Sequence, residues 1–184
     1  MRSDDESGDP ISDAELIQRW KSGDERAATQ LVGRYAASIG RYAASLGVRA
    51  DLQEIVQDTF VRAFGSLDDF RGESTLRTWL FTIARRLVLD ARRAHSRRRE
   101  VDEIREDHTA TGYDALDNLV AEEAHMKMRE ALTTLSPTQR EVFTLRVNDG
   151  LSYRDIAAVV GTTEGAARVH FHNALRQVKE RLHA

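Results

Sequence analysis

The chain contains no cysteine. Disulfides, thiolate metal sites and cysteine nucleophiles are therefore excluded, and the composition fits a reducing compartment. Proline occurs only twice, at Pro10 and Pro137, so long helices can run uninterrupted. No apolar run approaches the ~20 residues that span a bilayer, and the opening MRSDDESGDP lacks the apolar core of a secretory leader. The expectation is a soluble cytoplasmic protein with no membrane contact of its own. Glycine-rich phosphate loops and nucleophile motifs are missing as well. Six histidines are present, but His170 and His172 stand two apart on a helix, about 200° round, and cannot face one ion together. No catalytic constellation emerges, so no enzyme activity, metal or cofactor is expected.

What the chain does have is charge, unevenly placed. The formal sum is only −3, yet the segment RTWLFTIARRLVLDARRAHSRRRE (77–100) carries eight arginines against two acids. Residues 100–130 reverse this with ten acids against three bases. A near-neutral sum argues against nucleic-acid binding only when charge is uniform, and here it alternates.

Nearly every segment has helical period. Ser12 with Glu15 forms a capping box, and Ala28, Leu31, Tyr35, Ile39, Tyr42 and Leu46 define one stripe of the next helix. The sequence GRYAAS recurs there seven residues apart, which returns it to nearly the same helix face and suits close packing. Asp51 with Glu54 is expected to cap a third helix, and Ser74 a fourth, the basic one. On the basic helix Leu76, Trp79, Leu80, Ile83, Leu87, Ala91 and Ala94 form the apolar stripe, which places Trp79 in packing rather than on nucleic acid. The other side would present guanidinium groups. Residues 99–115 lose periodicity and turn acidic, as a linker does. Later, Ser136, Pro137 and Gln139 mark another helix start.

The stretch LSYRDIAAVVGTTEGAARVHFHNALRQVKERL has the layout of a helix-turn-helix. Ser152 and Asp155 open a short helix, Gly161 makes the turn, and a second helix starts near Thr163. Such a helix can enter the major groove with Arg168, His172 and Asn173 exposed. The alternative is an ordinary helical hairpin. The fold expected is all-α, with two helical domains joined by a flexible acidic linker: a disordered acidic tail (1–11), a helical bundle (12–98), the linker (99–115) and a helix-turn-helix domain (116–184).

With these stretches in place, the chain resembles the extracytoplasmic-function (ECF) group of bacterial RNA polymerase sigma factors, of the sigma-70 family. DLQEIVQDTFVRAFGSLDDFRGESTLRTWLFTIARRLVLDARR (51–93) is similar to the sigma-2 core, and LTTLSPTQREVFTLRVNDGLSYRDIAAVVGTTEGAAR (132–168) to sigma-4. The resemblance implies a factor that binds core RNA polymerase and directs it to promoters, working in the cytoplasm at the nucleoid. It implies docking of Glu54, Gln57 and Asp58 on the clamp helices of the largest core subunit, and of sigma-4 on the polymerase flap. It implies that Phe70, Arg71, Gly72 and Ser74 form a pocket for the promoter −10 element, and that Arg77, Arg85, Arg86, Arg92 and Arg93 hold its melted strand and flanking phosphates. The −35 element would meet Thr163, Glu164, Arg168, Val169, His172, Asn173 and Arg176.

Relatives often carry serine and arginine where this chain has Val169 and His170, and a later arginine where it has Asn173. That implies a weaker phosphate grip, or a different preferred sequence read through Asn173, which can pair bidentately with adenine. Asp102, Glu103, Glu106 and Asp107 would imitate an RNA backbone inside the polymerase, and an anti-sigma factor would hold the free chain inactive. The competing reading is a repressor or response-regulator output domain. Such proteins need a dimer interface or a phosphoacceptor domain, and residues 12–98 resemble neither.

Overall fold

A computed structural model of the chain describes residues 11–48, 51–99, 127–128 and 130–182. Within them the regular structure is helical: α1 (Asp13–Lys21), α2 (Glu25–Ser45), α3 (Leu52–Gly65), a 3-10 turn (Leu67–Asp69), α4 (Leu76–Arg99), α5 (Pro137–Val147), α6 (Tyr153–Val160) and α7 (Glu164–Leu182). The acidic tail and nearly all of the acidic segment between α4 and α5 fall outside the described residues.

Local chemistry sets most helix ends. The Glu15 backbone N–H donates to Ser12 Oγ at 3.2 Å, while the Glu15 side chain turns to Arg19 at 2.6 Å. Ser136 and Gln139 close the full reciprocal box at the start of α5. Two expected caps are displaced. Asp51 makes no cap bond; its carboxylate lies 2.9 Å from His95 Nε2 near the far end of α4, tying α3 to α4. At α4 it is Thr75, not Ser74, that accepts the Thr78 N–H, at 3.1 Å. Asp13 takes both the Arg34 guanidinium and the Tyr35 hydroxyl, clamping α1 onto α2. Burial, reinforced by that carboxylate, pushes the Tyr35 phenol far above its usual range.

Helices α1 to α4 bury Leu16, Leu31, Ile39, Tyr42, Leu80 and Phe81. Helices α5 to α7 form a second packed unit in which Ala131, Leu135, Phe143, Ala174 and Val178 cluster. The two units are in contact. Val142, Leu145 and Ile156 belong to the same apolar cluster as Ile39, Tyr42 and Phe81. This widens the buried arc of α4: besides the expected stripe, Thr78, Phe81 and Ala84 are removed from water here, while Val88 is buried within the first unit beside Ala43, Val48 and Ile55. Phe81 meets Tyr42 edge-on at 5.1 Å. No helix among the described residues is long and apolar enough to cross a membrane.

Candidate nucleic-acid interface

Ahead of α4 the chain makes a short loop whose Gly72 sits at φ +73°, a left-handed conformation that residues with a Cβ rarely adopt. The loop folds over an open cavity of about 300 Å³ lined by Asp69, Phe70, Arg71, Glu73 and Trp79. The Phe70 and Trp79 rings lie 5.1 Å apart at 43°. Trp79 thus has two roles. It is only half-buried, packing on the core with one part and walling the cavity with another. Aromatic walls beside carboxylates and a guanidinium suit an unstacked base, which needs a π surface and edge-on hydrogen bonds. The periodicity of α4 alone could not reveal this, because the cavity depends on the loop returning across Trp79. Ser74 is half-buried beside the loop and its hydroxyl turns to its neighbour's carbonyl at 3.4 Å.

Along α4 the arginines divide. Arg86, Arg92 and Arg93 are exposed, with Arg93 3.3 Å from Asp90 in a solvated pair of little energetic weight. Arg77 and Arg85 instead face the α5–α7 unit. Arg85 Nε donates to Glu141 Oε1 at 2.7 Å, and Glu141, only 6% exposed, also accepts the Tyr42 hydroxyl at 2.5 Å. Burial, then the adjacent Glu141 carboxylate, drives the Tyr42 phenol well above its ordinary range. Arg77 reaches Asp149 at 3.5 Å, and its buried Nε has no hydrogen-bond partner. Burial raises the Asp149 carboxyl above its ordinary value, and the Arg77 and Arg41 guanidiniums offset only part of that. Thr78 Oγ1 donates to Asp155 Oδ1 at 3.0 Å.

On α3, Glu54 and Gln57 are exposed and Asp58 half-exposed, on one face. Val61, at the next turn of that face, is 62% exposed. A valine standing in water among polar side chains was not anticipated from periodicity, which assigns apolar residues inward.

The second unit realises the helix-turn-helix. Ser152 Oγ accepts the Asp155 N–H at 3.1 Å, and α6 ends at Gly161, φ +75°. Thr163 Oγ1 accepts the Ala166 N–H at 3.1 Å, so its hydroxyl serves as the cap of α7. At about 100° per residue, Ala167, Phe171, Ala174 and Val178 share the inward arc. Val169, His172, Asn173 and Arg176 occupy the opposite half and Arg168 its edge, while Glu164 stands at the helix start; Asn173 is half-buried and the others are exposed. Val169 is 58% exposed, an apolar side chain among polar ones. Arg168 pairs with Glu164 at 3.0 Å and lies 5.2 Å over the Tyr153 ring, which also meets Arg146 at 4.8 Å and the Phe171 ring edge-on at 5.9 Å. Tyr153 thereby orients an arginine of the reading arc, a contact that no local motif announces.

Two family models match this chain: Sigma-70 region 2 over residues 28–98, and Sigma-70, region 4 over residues 125–178. The ECF RNA polymerase sigma-E factor of Salmonella typhimurium (strain LT2) is 30% identical, with 94% of this chain and 95% of that protein covered. The protein of the same description from Escherichia coli (strain K12) has the same identity and coverage. Among solved structures, CnrH in complex with the cytosolic domain of CnrY aligns with a TM-score of 0.67 at 29% identity, covering 92% of this chain and 96% of that one. The sigma factor RpoE of Bartonella quintana, in complex with the anti-sigma factor NepR, aligns with a TM-score of 0.70 at 28% identity, covering 85% and 96%.

Proposed function

We propose a division of labour for a chain that belongs to the ECF RNA polymerase sigma factors, and so directs RNA polymerase to promoters without itself being an enzyme. The carrying observation is the pairing of an aromatic-walled cavity with the arginine face of α4, set apart from an exposed reading arc on α7. The cavity of Phe70 and Trp79, with Arg71 at its rim and Ser74 beside it, takes a flipped base of the −10 element. Arg77, Arg85 and Arg86 hold the melted strand through its phosphates, and Arg92 and Arg93 continue the track onto duplex. The −35 element lies along α7. There Arg168, His172 and Arg176 meet phosphates and base edges, Val169 offers a methyl-sized contact to thymine, and Asn173 reads an adjacent base. Thr163 and Glu164 position the N-terminus of that helix.

Residues 12–98 act as the −10 domain and 116–184 as the −35 domain, joined by the acidic stretch 99–115. Glu54, Gln57 and Asp58 dock on the clamp helices of the largest core subunit, with Val61 as the apolar anchor of that face. The second domain sits on the flap. Asp102, Glu103, Glu106 and Asp107, outside the described residues, run through the polymerase where carboxylates stand in for an RNA backbone. The similar RpoE chain is bound to the anti-sigma factor NepR, and CnrH to the cytosolic domain of CnrY, which supports an anti-sigma protein for this chain. The place of work is the cytoplasm, at the nucleoid.

Run-off transcription with core polymerase, followed by sequencing of the promoters used, tests the reading. Changing both Arg85 and Arg86 to alanine should abolish open complexes while leaving polymerase binding in place. Intact strand opening in that variant would refute the assignment.

A further inference from the structure

We infer that Tyr153 fixes what Arg168 reads: its ring, together with the Glu164 carboxylate, holds the Arg168 guanidinium as a directional fork for a guanine edge in the −35 duplex. The inference rests on the reading of α7 as the −35 helix. Within it Tyr153 is a positioning residue that acts through Arg168.

Arg168 stands exposed at the edge of the outward arc, on a long side chain. A free guanidinium there answers to the strongest local field, which on duplex DNA belongs to the phosphates. Phosphate contacts carry no sequence information, so reading a base requires the planar fork to be held in one orientation. Two holds supply that. The guanidinium lies 5.2 Å over the Tyr153 ring, and its Nη2 donates to Glu164 Oε1 at 3.0 Å. That bond leaves the other N–H donors of the group free, a parallel pair among them for guanine O6 and N7.

The ring is itself held. The Phe171 ring meets it edge-on at 5.9 Å, and Phe171 stacks on the buried Phe143 at 6.0 Å and 21°. The Arg146 guanidinium lies 4.8 Å from the Tyr153 ring centroid, with its Nη1 anchored on the Leu151 carbonyl at 2.7 Å. A line of contacts thus runs from the core through Phe171 and Tyr153 to Arg168. Arg176, exposed farther along the arc, has no such holder among the described residues and is left to phosphate. The sign of Glu164 points the same way. A carboxylate close to a polyanion lowers affinity. An acid in the first turn does favour the helix N-terminus, but that alone does not require the side chain to turn to Arg168, as it does.

Polymerase reconstituted with the full chain, given competing promoter duplexes in which each −35 position is varied in turn, reports the preference at every position. Arg168→Ala marks the base pair that Arg168 reads. A guanine is expected there, and any other base would overturn the fork. Tyr153→Leu, which keeps apolar bulk against Phe171, should lower the preference at that position about threefold to tenfold, through the lost cation–π contact and the lost ordering. The other positions should keep theirs, and Tyr153→Phe, which retains the ring, should restore the lost preference. Glu164→Ala, an exposed change outside the core, should weaken the same preference about twofold while raising affinity for all sequences. An intact preference in Tyr153→Leu, an equal loss in Tyr153→Phe, or a loss spread over all positions overturns the assignment. So does a Glu164→Ala protein that keeps its full preference at the marked position. Should Arg168→Ala change no position's preference, the −35 reading of that arginine is what fails, and the role of Tyr153 with it.

Discussion

Replacing Glu141 and Arg85 one at a time should cost unequal amounts, because they are unequally buried. The Glu141 side chain is 7% exposed and that of Arg85 24%. In Arg85→Ala the carboxylate remains in the interface with only the Tyr42 hydroxyl, 2.5 Å away, to compensate it. Orphaning one member of a buried pair costs about 3–5 kcal/mol, and this variant should lie in that range. In Glu141→Gln the amide oxygen can still accept from Tyr42, and the guanidinium, a quarter exposed, recovers water. The loss is then that of a charge-assisted hydrogen bond, about 1.5–3 kcal/mol. The double variant should fall short of the sum by about 1–3 kcal/mol, the coupling expected of groups in direct contact. Urea unfolding of the four proteins, followed by helical circular dichroism, measures all three quantities. Equal single losses with an additive double would refute the reasoning, since they would mean that the pair is solvated and does not bridge the two units.

Other expectations follow from the same geometry. Phe70→Ala should weaken capture of a single-stranded −10 oligonucleotide by polymerase carrying the variant, by about 1–3 kcal/mol if its ring stacks a base. Unchanged capture in a fluorescence-anisotropy titration would exclude Phe70 from the cavity's work. Gly161→Ala should lower the stability of the second unit by about 1–2 kcal/mol, because φ +75° crowds a Cβ against the following carbonyl. Gly161→Asn should cost less, and a melting curve for each variant decides. For Asp149 the sign is set by its raised folded pKa. The folded chain binds that proton more tightly than the unfolded one, so this residue's contribution falls as pH rises from its ordinary value near 3.8 through the folded value. Asp149→Asn should flatten that part of the stability–pH curve, and an unaltered slope would show that the carboxyl is not desolvated.

Helix identity, most caps and the turn of the reading hairpin were legible in the sequence because each depends on residues three or four apart. Ser136 meets Gln139, Ser152 meets the Asp155 N–H, and Gly161 takes the left-handed turn wherever the rest of the chain lies. The outward half of α7 follows from period alone once Ala167, Ala174 and Val178 face inward. Where several local acceptors competed, the folded structure chose among them. Asp51 left its helix start for His95, 44 positions away, and Thr75 took the cap expected of Ser74. The half-buried state of Trp79 depends on a loop that returns across it.

The charge pattern shows the division most clearly. The sequence by itself placed eight arginines in one helical segment and most of the compensating acids beyond it. It could not say which arginines would be free, because that depends on pairs such as Arg85 with Glu141, 56 positions apart, and on Tyr42 with Glu141, 99 apart. Hydrophobic period specifies that a helix has an inner face. Only the packing of a second unit against α4 decided that Phe81 and Ala84 share a core with Val142, Leu145 and Ile156, and that packing brought the acids to the arginines.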